Sequence, residues 1–296
     1  MSNKVAVITR TKNRNILLKR ALESVTRQTH ENWVMVIVND GGEPNAVNEL
    51  VNKYNTEGKI ITIHNPESVG MEAASNIGIK KVESDYIVIH DDDDSWHPTF
   101  LERTVNHLTN VEKSKNVKGV ITHSTRIIER IENDTVIIDF KEPYNTWINS
   151  VTLYRMAAGN VFPPISFVFK REVIDEIGLY REDLPVLGDW DFHLRFIEKY
   201  NIDVIHEQLA YYHHRVTLQH GDYSNSVFGG NNKHLYYDTF LRNDYLRKDL
   251  EQNKVGLGFL VNIAKSFEVV HAQISPLEKA VEKIKNNKLV RKILKP

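Results

Sequence analysis

Apolar residues run along this chain in two rhythms. KVAVITR (4–10), WVMVIVNDGG (33–42), KIITIHN (59–65) and YIVI (86–89) are short, β-branched and nearly continuous, the pattern of strands covered on both faces and, for the second, stopped by a turn. Between them the spacing changes to that of helices. ILLKRALESVTRQ (16–28) puts Leu17, Leu18, Ala21, Leu22 and Val25 on one face, and PNAVNELVNKYN (44–55) and MEAASNIGIKKV (71–82) read the same way. This alternation predicts parallel βαβ units and an α/β fold with a mostly parallel central sheet flanked by helices.

Beyond residue 96 the pattern loosens. HPTFLERTVNHLTNVEK (97–113) reads as a helix, 119–140 as a β-hairpin, 148–160 as mixed, and 162–178 as a strand followed by a helix. A strand is expected at 203–215, then a mobile, Gly- and Asn-rich loop over 216–232, then helices from about 233. The organisation expected is one domain over 1–232, with halves at about 1–115 and about 116–232, and a helical extension over 233–296.

Composition narrows the function. A formal net charge of −1 across 296 residues gives no sign of a nucleic-acid partner. The absence of cysteine excludes disulfides, thiolate zinc sites and a cysteine nucleophile, and suits a cytoplasmic setting. No apolar run reaches the ~18–20 residues of a membrane span, and MSNKVAVITR lacks a signal peptide's apolar core. The segment 279–296 carries seven Lys/Arg and one acidic residue around Val281, Ile284, Val290 and Leu294. Such a helix fits peripheral contact with an anionic membrane, and equally a helix packed on the domain or on a partner.

Chemistry concentrates where an open α/β sheet binds its ligands, beyond the carboxyl ends of the strands. Thr9-Arg10, Asn39-Asp40 and the run Asp91-Asp92-Asp93-Asp94 each fall at such an end. One acid suffices to cap the helix that follows; four adjacent carboxylates repel one another and call for a cation. A P-loop is absent, and an EF-hand is excluded because Trp96 stands where that loop needs glycine.

Taken together, VITRTKNR, VIVNDGG, VGMEAASNIGI, the four aspartates followed by Trp96-His97-Pro98, and GDWDFHLR resemble, in order and spacing, the family 2 glycosyltransferases. The resemblance is close over 4–110 and fair over 163–226. It implies a GT-A fold, with a Rossmann-like nucleotide-binding half, and inverting sugar transfer from a nucleotide-diphosphate donor, UDP-linked by expectation, to a saccharide or lipid-linked acceptor. A role in bacterial surface polysaccharide synthesis, such as capsule or O-antigen, and a location at the inner face of the cell membrane are further expectations. The alternatives are a nucleotidyltransferase, disfavoured because TRTKNRNILLKR contains no glycine, and a non-catalytic sugar- or nucleotide-binding module.

The resemblance also assigns residues. Asp93 would coordinate Mn²⁺ or Mg²⁺, with Asp91 on the ribose or the metal, Asp92 at the variable position of the D-x-D element, and Asp94 as an additional acid. Asp40 would accept from the base, Thr9, Arg10 and Arg14 would line the nucleotide pocket, and Gly70 and Asn76 would close over the nucleoside. Asp189 matches the catalytic base, with Asp191 in reserve if the register slips by two; Gly188 stands where the commoner pattern has Glu. Trp190 would floor the acceptor sugar or sit in the core. Of His213 and His214, which alternate faces in a strand, His214 is the favoured extra metal ligand, with His220 a weaker candidate and Arg215 a partner for phosphate.

Overall fold

The computed structural model describes residues 3–55, 57–112, 115–216, 221, 223, 231–252 and 254–286. Most of the loop expected over 216–232, His220 included, and the last ten residues of the basic tail therefore lie outside the described residues.

The four apolar runs form strands within two residues of their expected bounds: β1 (Val5–Thr11), β2 (Trp33–Asp40), β3 (Ile60–Asn65) and β4 (Tyr86–Ile89). They pair in parallel in the order β3-β2-β1-β4. The helices α1 (Asn15–Thr26), α2 (Pro44–Tyr54) and α3 (Met71–Lys81) make the crossovers. Every residue of β2 is buried, as its unbroken apolar sequence requires of a strand covered twice.

Two cores result, one on each face, because neighbouring side chains of a strand point opposite ways. Val5 and Val7 pack with Leu18, Leu22 and Val25 of α1, while Ala6 and Ile8 belong with Ala74 and Ile79 of α3.

After β4 come the acidic turn, the two-residue strand β5 (Ser95–Trp96) and α4 (Phe100–Asn110). The expected hairpin exists with longer arms, β6 (Val117–Glu132) and β7 (Thr135–Pro143). Asn133 and Asp134 make its turn at positive φ, a conformation these two residue types tolerate. There follow α5 (Leu153–Ala158), β8 (Phe167–Lys170), the short α6 (Ile174–Ile177), α7 (Gly188–Lys199) and β9 (Asn201–His214). The sheet continues from β4 through β8, β6 and β9 to β5, with β8 antiparallel to β4 and β6 parallel to β9. That extension carries the end of β9 back to the acidic turn.

Two helices complete the described chain, α8 (Asn231–Glu251) and α9 (Leu257–Asn286). Leu241, Val261 and Ala264 join the same core as α3 and α7. No helix among the described residues is long and apolar enough to cross a membrane.

Candidate active site

The acidic run sits in a tight turn just past β4. The His90 amide still bonds Ile8 O of β1 at 2.8 Å, and the Asp94 amide closes the turn on Asp91 O at 3.2 Å. His90 is fixed by its ring, with Nδ1 2.9 Å from Asp91 O and its centre 4.3 Å from that of the Trp96 ring in an edge-on contact. The four carboxylates therefore point in set directions. Asp91 is the most open, Asp92 and Asp94 are buried, and Asp93 lies between.

Four arginines enter this turn from three elements. Arg10, at the end of β1, bonds Asp91 through Nε at 3.1 Å and through a second guanidinium nitrogen, and also reaches Glu72 at 3.3 Å. Arg14 lies 3.3 Å from Asp92 and 3.7 Å from Asp93. Arg20 of α1 donates to Asp93 O and, at 2.6 Å, to Glu129 of β6. Arg215, fully buried just after β9, bonds Asp93, Glu129 at 2.8 Å and Tyr223 O at 2.6 Å. The sequence expectation put Arg215 on a phosphate; its guanidinium is instead committed to these acids.

His213 completes this buried network, with Nδ1 2.7 Å from Glu129 and Nε2 2.8 Å from Ser95 Oγ, while its amide donates to Asp94 at 2.9 Å. His214 takes the other face of the strand, its ring 4.2 Å from that of Tyr212. Burial, with Arg126 nearby, pushes its pKa down to about 4, so it is neutral at pH 7, the form that ligates metals.

The second acidic element arrives on α7. Asp189 is half-buried at its first turn. It accepts from the Trp190 amide at 2.8 Å and from Asn160 Nδ2 at 2.7 Å. Burial pushes its pKa up to about 6, against the pull of the Trp190 amide and Arg10, with Asp91 pushing the same way as burial. Residues some 100 positions apart in sequence thus share one electrostatic field.

Glu72, which the sequence reading missed, links these two halves. It stands in the first turn of α3, buried, with Arg10 on one side and the Gly188 amide donating to it on the other. Burial, with Asp189 and Asp91 pushing the same way, raises it to about 7. Gly188 permits this approach: a Cβ there would lie 2.6 Å from Glu72 Cγ. Glu129, Arg20 and Asn160 were likewise not singled out.

Several expectations need correction. Asp191 cannot exchange roles with Asp189, because two helical steps of 100° turn it to the opposite face. There it is bound to Arg195 at 2.8 Å and to the Tyr245 hydroxyl at 2.9 Å. Trp190 is a core residue, 1% exposed, its Nε1 donating to Met156 O at 2.7 Å, so no sugar can stack on it. Asn76 is spent on tying α3 to Tyr180 and Glu182, through bonds of 2.8 and 2.9 Å from its amide nitrogen. Asp40 accepts from Asn65, Ser68 and the Val69 and Gly70 amides at 2.7–3.1 Å. Those donors outweigh the upward push of its burial and hold its pKa low; its carboxylate fastens the β3–α3 loop. Gly70 starts α3 at φ 98, a conformation that favours glycine, and Thr9 is wholly buried at the end of β1.

Whether the site suits a divalent cation turns on charge. Asp91–Asp94, Glu72, Glu129 and Asp189 bring seven carboxyls to four guanidiniums. The excess shows in the burial- and charge-driven upward shifts of Asp92, to about 6, and of Asp94, well above the usual range. Burial pushes Asp93 up as well, but Arg215 and Arg14 outweigh it and keep the group ionised. No three ligating side chains form a ready cage among the described residues. Mg²⁺ is commonly held by one or two carboxylates plus substrate phosphates, so Asp91, the most open of the run, and Asp93, which its arginines keep ionised, are a fitting donor set.

Comparison with known proteins bears on the family and the fold. The model of the family described as "Glycosyl transferase family 2" matches residues 6–178. An uncharacterized glycosyltransferase of Bacillus subtilis, YwdF, is 28% identical over 199 residues, 67% of this chain and 70% of that protein. A putative colanic acid biosynthesis glycosyl transferase of Escherichia coli, WcaA, is 35% identical over 104 residues, 35% of this chain and 37% of its own. Among solved structures, Staphylococcus aureus TarS 1–349 in complex with UDP superposes with a TM-score of 0.57 at 17% identity, covering 71% of this chain and 60% of that one. A mannosyltransferase from Pyrobaculum calidifontis, in complex with GDP-Man and Mn²⁺, gives 0.56 at 14% identity, covering 98% and 82%. At such identities the two structures speak for the fold alone, and it is the GT-A fold. With the family model matched over more than half its length, the chain belongs to glycosyl transferase family 2.

Proposed function

We propose that this enzyme transfers a sugar, with inversion, from a nucleotide-diphosphate donor to a hydroxyl of a saccharide or lipid-linked acceptor, with Asp189 as the base. The observation that carries the reading is the convergence of Asp189, Arg10 and Asp91 at the carboxyl end of the sheet, bridged by Glu72. Asp189 takes the proton of the acceptor hydroxyl, the freed oxygen bonds to the anomeric carbon, and the bond from that carbon to the diphosphate oxygen breaks. A pKa near 6 keeps the base ionised at neutral pH while leaving it a useful proton acceptor. Asn160 and the Trp190 amide hold both its oxygens, which fixes the direction of attack.

On the donor side, Asp93 and Asp91 would hold Mn²⁺ or Mg²⁺, which when bound neutralises the leaving diphosphate. Arg10 and Arg14 line the same crevice and can share their guanidinium donors with phosphate oxygens. UDP is the nucleotide that the sequence resemblance favours; of the solved neighbours, one protein was crystallised with UDP and with UDP-GlcNAc and another with GDP-Man. A role in surface polysaccharide assembly draws support from the likeness to WcaA. The test is a panel of nucleotide sugars with and without Mn²⁺, read as release of free nucleoside diphosphate. Turnover that needs metal and is lost in Asp189→Asn supports the reading; binding without turnover across a broad acceptor panel would instead favour a non-catalytic module.

A further inference from the structure

The far half of α9 presents an apolar stripe that nothing in the described chain covers. Leu260, Ile263, Phe267, Val270, Ile274, Leu277, Val281 and Ile284 follow one another at steps of three and four residues without a break. That is the a/d rhythm of a coiled coil, narrower than the face of a helix lying on a globular core. The first two positions are half-buried against the domain, where Val261 and Ala264 enter the core. From Phe267 onward all six are open, each between 44% and 66% exposed. The open stretch extends for about 26 Å at 1.5 Å per residue.

Most of a helix's stability in a protein comes from packing its apolar face, and this one contains Pro276, which removes a hydrogen bond from its middle. Such a segment needs a surface against its stripe to remain helical. We propose that α9 pairs with α9 of a second copy of this chain, in parallel, through Phe267, Val270, Ile274, Leu277, Val281 and Ile284.

Charge favours a second copy over a lipid surface. Along the open stripe itself, residues 267–284, two lysines and three glutamates leave no excess of positive charge for an anionic bilayer; the basic excess of 279–296 falls mostly after Ile284. In a parallel pair the residue before each a position faces the residue after a d position of the partner. The former are Ser266, Gln273 and Ala280, all uncharged, so no like charges meet across the seam. Pro276 lies on the outer side of the helix, between two seam positions, and leaves the contact stripe intact.

The test uses the full-length chain in sedimentation equilibrium. The wild type is expected at twice the 34.3 kDa monomer mass, the double variant Ile274→Asp/Leu277→Asp as a monomer, and Ala272→Asp, on the outer face, as a dimer. Because the chain has no cysteine, Leu277→Cys gives a second reading independent of those variants: it should cross-link two copies on oxidation, whereas Ala272→Cys should not. A monomeric wild type, or a dimer that survives the double variant, overturns the proposal. So does a monomer that co-sediments with phosphatidylglycerol vesicles and loses that binding in the double variant, since the stripe would then serve a bilayer.

Discussion

Glu72 occupies the space that a side chain at Gly188 would need, and the Gly188 amide donates to it there. The absence of a side chain at 188 and the presence of a carboxyl at 72 are therefore one arrangement, which also holds Arg10 beside Asp91. Gly188→Ala should displace Glu72, cost about 1–3 kcal/mol in urea unfolding as an overpacked site, and lower kcat by disturbing both Arg10 and the start of α7. Pairing it with Glu72→Ala should restore stability while leaving kcat low. Recovery of both would show that Glu72 only fills space.

Asp189→Asn keeps the size of the side chain but removes the base. Donor binding by calorimetry should be unchanged, while kcat falls by roughly 10²- to 10⁴-fold, the usual contribution of a general base. The wild-type pH profile follows from the same group. Below a pKa of about 6 the carboxyl is protonated and cannot take a proton, so kcat/KM should fall as pH drops through about 6 and level off above it. A profile flat down to pH 5 would remove Asp189 from this role.

How far the sequence could be read depended on what each residue's neighbours in sequence disclose. The first four strands were legible because burial on both faces leaves an unbroken apolar run. The surroundings of Trp190 and Asp191 were not legible, because they depend on helical phase: from Asp189 in the first turn of α7, one step turns Trp190 into the core and two turn Asp191 toward Tyr245. Glu72 gave no signal. An acid in a helix's first turn reads as a complement to the helix dipole, and only the fold reveals Gly188 opposite it. Glu129 was hidden in a long strand whose register shifts between Ile128 and Glu129, which breaks the alternation that separates inward from outward residues.

Glu129 is the hub of the buried ion network, bonded to Arg20, Arg215 and His213. Glu129→Ala leaves those partners buried without their counter-charge and should cost about 3–5 kcal/mol in urea unfolding. Burial pushes its pKa up, but the His213 hydrogen bond and Arg20 outweigh it and bring it down to about 2 from an ordinary 4.5. Its stabilisation is therefore complete above pH 4.5 and is lost as pH falls toward 2. The variant should accordingly lack the loss of stability that the wild type shows across that interval. Equal loss in both would assign the acid sensitivity to other carboxyls.

Trp147 is the better candidate for an acceptor platform now that Trp190 is known to be buried. It is half-exposed, with the Arg155 guanidinium 4.1 Å from its ring. Its segment runs from Tyr144, whose ring is 6.2 Å from that of His214, to Asn160, which donates to Asp189. An exposed indole can pack on the C–H face of a sugar ring. Trp147→Ala should raise the acceptor KM and leave both donor hydrolysis and thermal stability close to wild type. A matching loss of donor hydrolysis would place it outside the acceptor site.

Asp91 and Asp93 offer a cation too few protein oxygens to hold it alone, and their arginine partners compete for the same carboxylates. A donor diphosphate changes both conditions: it adds oxygen ligands, and it offers Arg10 and Arg14 an alternative anion. Metal and nucleotide should therefore bind as a pair. Thermal melts are expected to show little shift with Mn²⁺ alone, little with UDP alone, and a clear rise with both. Asp93→Asn should abolish that joint rise, and Asp92→Asn should preserve it, because Asp92 lies buried beneath Arg14. Stabilisation by Mn²⁺ alone that persists in Asp93→Asn would place the cation elsewhere. Stabilisation by UDP that ignores the metal would mean that the arginines, without a cation, carry the diphosphate's charge.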